Sequence, residues 1–158
     1  MSAERQWSSF VEQKEAPLRR FGGRGDVRGV AVVLERDATA AGAARDALSA
    51  IEDDLDPAVR NDLRLLVSEL VTNSVRHATH DRHGTVALRV NVEADKVRVE
   101  VTDAGDGFEP APRTEGQSQA SGWGLYLVDR MTDRWGVVRD TMTRVWFEID
   151  GAAMPVAA

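Results

Sequence analysis

The sequence predicts an α+β fold: a two-layer sandwich in which helices cover one face of a mixed, mostly antiparallel sheet. Three observations carry this expectation. The stretches T-V-A-L-R-V-N-V and K-V-R-V-E-V-T-D alternate apolar and polar residues with period two. Only a short polar turn separates them, so they read as a hairpin. Helical patterns precede and follow that hairpin. Strands joined by short turns pair antiparallel, and helices interspersed with them must bury one stripe against the sheet.

Taken in order, residues 1–28 read as an N-terminal tail, with a short helix fitting 3–16. The Gly- and Arg-rich L-R-R-F-G-G-R-G-D-V-R-G has no apolar period and is not expected to pack; its R-G-D is a chance tripeptide in an Arg-rich run. The folded domain is expected at 29–151, followed by a tail at 152–158. Val30 to Leu34 form an apolar strand. Asp37 caps a helix from Ala38 to Glu52, whose inward positions are Ala40, Ala44, Ala47, Leu48 and Ile51. Asp56 and Pro57 supply a cap and a first-turn proline to a second helix, with Leu63, Leu66, Val67, Leu70, Val71 and Ser74 on its core face and Asn73 off it. In the hairpin, Val86, Leu88, Val90 and Val92 face inward with Val97, Val99 and Val101. Residues 108–121 have no period. A third helix restarts at G-W-G-L-Y-L-V with Leu125, Val128 and Met131 inward, and two strands follow, the second placing Thr143, Val145, Phe147 and Ile149 on one face. The expected order is β-α-α-β-β-loop-α-β-β.

Composition bounds the function. A chain of 158 residues, 42% apolar and 29% charged, can bury one ordinary soluble core. Its net charge of -6 argues against a dedicated nucleic-acid binder, which needs cations to displace counterions from phosphates. The absence of cysteine removes disulfides, thiolate zinc sites and thiol nucleophiles, and suits a reducing cytoplasm. No apolar run reaches the roughly 20 residues of a membrane span, and the first ten residues lack the apolar centre of a secretory signal.

Three short motifs carry chemistry. In E-L-V-T-N, Glu69 and Asn73 stand at i and i+4, and His77 continues the stripe. D-A-G-D-G follows a strand directly, with Asp103, Gly105 and Gly107. Gly122, Trp123, Gly124 and Leu125 open a helix, whose N-terminal N–H groups suit an anion. Each motif alone has a plain structural reading: a solvated helix flank, a turn-capping aspartate, loop punctuation. The spacing H-x-x-H-x-x-H of His77, His80 and His83 invites a zinc reading, but three histidines on a fraying helix end are better read as surface residues.

In this order the motifs resemble the N, G1 and G2 boxes of the gyrase, histidine-kinase and MutL ATPase superfamily, over about residues 30–150. The wording E-L-V-T-N-S-V-R-H-A, with D-R-W-G-V and V-W-F-E later, resembles the stand-alone bacterial branch of anti-sigma factor serine kinases. The resemblance implies the Bergerat ATP-binding fold, with ATP and Mg²⁺ as cofactors. It implies that Asp103 reads the adenine amine with Thr143 as partner, and that Gly105 and Gly107 let the backbone approach the base. Gly122, Trp123, Gly124 and Leu125 would serve the phosphates. The family carries a small residue where this chain has Trp123, so that indole shapes the lid or stacks on a partner. Asn73 would ligate Mg²⁺, and Glu69 would act as general base on water or a protein hydroxyl. His77 would either approach the phosphates or close the helix end. Residues 108–121 would form the ATP lid, whose one basic residue, Arg113, is available to the γ-phosphate or to a partner.

Two functional readings follow from the resemblance. One is a cytoplasmic serine/threonine kinase of the partner-switching kind, which holds a sigma factor or another regulator and phosphorylates a small antagonist protein. The other is a non-catalytic module that uses ATP only to set its affinity for a partner. Neither calls for direct contact with nucleic acid or membrane, and both allow a homodimer.

Overall fold

A computed structural model describes residues 19–23, 25–76, 84–93, 95–103, 123–139 and 142–152. Six strands form one sheet: β1 (Arg19–Gly23), β2 (Gly25–Glu35), β3 (Thr85–Val92), β4 (Lys96–Asp103), β5 (Arg134–Arg139) and β6 (Thr143–Asp150). Their spatial order is β1-β2-β3-β4-β6-β5. Every adjacent pair is antiparallel, so the expected mixed character is absent among the described strands. The helices are α1 (Ala40–Leu48), α2 (Pro57–Arg76) and α3 (Trp123–Met131).

The period-two pattern sets the register. Val90, Val99 and Phe147 lie side by side across β3, β4 and β6, as do Val92, Val97 and Ile149. These side chains share one buried cluster with Ala44, Leu48, Leu63, Leu66, Val67, Leu70 and Val128 of the three helices. The helices therefore cover one face, as predicted. α2 sits centrally, against α1, α3 and β4. Asp56 starts it as expected: its carboxylate accepts from the Ala58 N–H at 2.9 Å, and Pro57 occupies the first turn.

Two boundaries differ from the expectation. Residues 19–23 and 25–28, read as part of a tail, belong to the sheet: β1 pairs with β2, and β2 begins at Gly25. Backbone pairing needs no apolar side chain, so composition did not reveal it. At the other end Ala152 is buried, and its carbonyl accepts from the Asp56 N–H at 3.0 Å, so packing runs one residue past the expected limit. Residues 1–18 and 153–158 lie outside the described residues. α1 is also shorter than predicted. The Asp37 carboxylate, held below its usual range by the Thr39 hydroxyl and backbone N–H, shapes a turn before the helix and does not cap it. At its end the N–H groups of Ala50 and Ile51 reach back three residues, which tightens the chain toward a 3₁₀ turn at Glu52–Asp54.

The face of the sheet away from the helices is ionic. Glu148 is 6% exposed and accepts from Arg134 at 2.7 Å and Arg98 at 3.0 Å, with Lys96 at 3.4 Å. Burial alone would raise its pKa, but the Arg134 and Arg98 hydrogen bonds and the Lys96 charge hold it down at about 2. The Arg98 guanidinium also lies 4.3 Å from the centre of the Trp146 ring. That indole lies across Gly136, where an added Cβ would stand 2.8 Å from its Nε1.

Because the folded-state pKa of Glu148 is depressed, its contribution is complete above about 4.5 and is lost as pH falls toward about 2. Glu148→Gln should lower unfolding free energy by about 1–3 kcal/mol at neutral pH. Denaturant titrations should show the gap between variant and wild type closing across that acid window. Gly136→Ala should cost about 1–3 kcal/mol by forcing the indole aside, measured by the same titration; an unchanged midpoint would show that the indole moves without cost.

Candidate functional site

At one end of the sheet the apolar face becomes polar. One step beyond the Leu88–Val101–Val145 row, the register brings Val86, Asp103 and Thr143 side by side. Asp103 and Thr143 keep the inward phase of their strands and are only 4% and 5% exposed. Directly paired residues of this kind hold their Cβ atoms about 5 Å apart. A carboxylate and a hydroxyl thus share the rim of the core, where an unpaired charge is costly.

Arg36 supplies the compensating charge. It follows β2 directly and continues the inward phase of Val30, Val32 and Leu34. Its backbone N–H donates to the Gly84 carbonyl at 2.9 Å, extending the β2–β3 ladder by one residue. Its side chain, 2% exposed, donates through Nη2 to Asp103 Oδ1. The guanidinium passes over Gly84, where an added Cβ would come within 2.6 Å of Nη1. The sequence reading missed Arg36. The signal was present as the two-residue spacing from Leu34, which points a cation inward and calls for a buried anion.

α2 brings the second group of candidates. Glu69 is half-buried and Asn73 buried, one turn apart. The burial of Asn73 corrects the expectation that it lies off the core face. α2 contacts α1 and α3 as well as the sheet, so its buried stripe is wider than a helix with one neighbour would show. α3 opens at Trp123 and Gly124, and the first N–H groups of any helix have no partner within it. Leu125 is 3% exposed and belongs to the core cluster. His77, His80, His83, Gly105, Gly107, Arg113 and Gly122 lie outside the described residues, as does the expected lid at 108–121.

The donor chemistry suits a purine nucleotide with a hard cation. Asp103 and Thr143 offer a buried acceptor and a hydroxyl at the rim of the apolar sheet face. Among the described residues no three His, Cys, Asp or Glu side chains converge on a metal. Mg²⁺ does not require such a cluster: it takes one or two protein oxygens and fills its shell with water and phosphate. The amide oxygen of Asn73 is a ligand of that kind. No helix among the described residues is long and apolar enough to cross a membrane.

Comparison with known proteins agrees with this geometry. The family model for the histidine kinase-like ATPase domain matches residues 34–149. Serine-protein kinase RsbW of Bacillus subtilis is 36% identical over 84 residues, which cover 46% of this chain and 52% of that protein. Anti-sigma F factor of Caldanaerobacter subterraneus is 29% identical over 99 residues, covering 57% of this chain and 69% of that protein. The chain thus spans about half the length of the serine-protein kinase it matches. A solved structure of the RsbU and RsbW domains of a Mycobacterium tuberculosis protein shares the fold, with a TM-score of 0.56 at 20% identity, over 80% of this chain and 33% of that one. With the described helices on one face of an antiparallel sheet and a family match that runs from β2 to β6, the chain belongs to the histidine kinase-like ATPase domain family.

Proposed function

We propose that the protein is a cytoplasmic serine/threonine kinase of the anti-sigma type. It binds Mg·ATP, holds a sigma factor or a comparable regulator, and phosphorylates a small antagonist protein; two copies form the working unit. The observation that carries the reading is the burial of Asp103 beside Thr143 at the rim of an otherwise apolar sheet face. A carboxylate there accepts a hydrogen bond from the 6-amino group of adenine and repels the 6-oxo group of guanine. The match to a serine-protein kinase and to an anti-sigma factor supports the choice of reaction and partners.

In this reading each residue has a separate task. Asp103 and Thr143 select the base. Asn73 holds the Mg²⁺, which offsets charge on the phosphates when bound. The N–H groups of Gly122 to Leu125 face the phosphates, and Gly105, Gly107, His77, Trp123 and Arg113 border the nucleotide. Glu69, one turn from Asn73, takes the proton of a seryl or threonyl hydroxyl as its oxygen bonds to the γ-phosphorus and ADP leaves. Half-burial of Glu69 supports this role, since the carboxylate stays near the metal ligand yet open to an incoming side chain.

Asp103→Asn should weaken ATP binding by about 1.5–3 kcal/mol, the scale of a hydrogen bond to a charged group, or roughly 10- to 150-fold. Calorimetry that finds equal affinity would remove Asp103 from the base site. Glu69→Ala should bind Mg·ATP as wild type does while single-turnover phosphotransfer falls by about 10²- to 10⁴-fold. Transfer at the wild-type rate would exclude Glu69 as the base. A wild-type protein that binds ATP but neither transfers phosphate nor hydrolyses it would favour the non-catalytic module.

A further inference from the structure

The Arg36–Asp103 pair has a geometry that core stability alone does not require. The cation leaves the end of β2, crosses the position of β3 and meets the anion at the end of β4. A side chain at residue 84 would block that path, and the chain has glycine there. The φ of Gly84 is not in the left-handed region, which among the described residues only Gly151 adopts. The turn geometry therefore does not demand glycine at 84, whereas the guanidinium passing within 2.6 Å of the missing Cβ does. Both partners are almost fully withdrawn from water, with side chains 2% and 6% exposed.

We infer that Arg36, seated in the notch at Gly84, is the positioning residue that fixes Asp103 as the acceptor for a 6-aminopurine, and so sets the preference for 6-amino over 6-oxo nucleotides. This rests on the reading of Asp103 as the base reader. The physical reason is compensation of charge. The amino group of a purine is neutral and cannot offset a buried anion, and before nucleotide binds there is no amino group at all. Without the Arg36 counter-charge the carboxylate loses the ion pair that offsets its burial and gives it direction. Arg36 keeps it aimed along the sheet rim, beside Thr143, so that the purine edge meets an acceptor already in place. Arginine suits the task because its charge is permanent and its planar fork fixes direction as well as charge.

The test compares Mg·ATP with Mg·ITP, which replaces the 6-amino group by a 6-oxo group, using calorimetry on the full chain. Wild type should prefer ATP by about tenfold or more. Arg36→Met should lose about tenfold in ATP affinity with ITP changed by less than about twofold, so the preference collapses. Arg36→Lys, which keeps the charge and loses the fork, should recover part of it. If Arg36→Met does not fold, Gly84→Ala carries the test: its Cβ displaces the guanidinium without removing it, and the ATP-to-ITP ratio should fall in the same direction. Parallel loss of both nucleotides in these variants, an unchanged ratio, or a rise in ATP affinity in Arg36→Met would overturn the inference. The first is the mark of a purely structural pair, and the last of a side chain that blocks the pocket. A wild type that binds ATP selectively while the variants keep its ratio leaves Asp103 as reader and removes only Arg36. A wild type that binds neither nucleotide removes both.

Discussion

The apolar ladder across β3, β4 and β6 is the constraint on which the rest depends. Its rows place valines, Leu88, Phe147 and Ile149 in register, and α2 closes over them. Strand pairing with period two leaves no freedom in this arrangement. A slip of one residue would turn every one of these side chains to the ionic face and bring Arg98 and Glu148 inward. The inward rows and the outer charge network therefore select the same register from opposite sides of one sheet.

The candidate site is the end of that ladder. Asp103 and Thr143 continue the phase of Val101 and Val145, so the same alternation that builds the core also delivers a carboxylate and a hydroxyl to its rim. Polar groups so placed are tolerated because they are paired. Arg36 meets Asp103, and the cost of burial becomes a fixed orientation. On the helix side, Asn73 is buried on a helix that contacts α1, α3 and β4. The site is thus made from core positions occupied by polar residues, and its precision comes from packing.

The β3–β4 hairpin and the long helix α2 were legible because hydrophobic period is a direct record of which side faces the core. Val86 to Val92 and Val97 to Val101 fell into register as their alternation implied. β1 was not legible: Arg19–Gly23 pair through backbone, and an Arg- and Gly-rich strand leaves no periodic trace. The end of α1 was misjudged because Ile51 keeps helical spacing although the backbone there has already tightened toward 3₁₀ geometry. Asp103, Glu69 and Asn73 stood out as candidates by motif spacing and Thr143 by the family resemblance, and the register sets Asp103 beside Thr143. Arg36 carried only the two-residue spacing from Leu34 as its signal, and the meaning of that inward cation rests on a partner 67 residues away.

The sheet consists of three local hairpins, β1–β2, β3–β4 and β5–β6, joined by two seams between residues far apart in sequence. Arg36 lies just past the first hairpin, Asp103 ends the second and Thr143 begins a strand of the third. No single hairpin contains the pocket, and no pair of them completes it. The rim forms only when both seams have zipped shut, and pairing across a seam closes a longer loop, at greater entropic cost, than a hairpin does. A small molecule that grips Asp103 and Thr143, with Arg36 held against Asp103, would therefore act as a staple on the entire sheet. Occupancy would be felt as resistance to global unfolding, in edge strands that the ligand never touches.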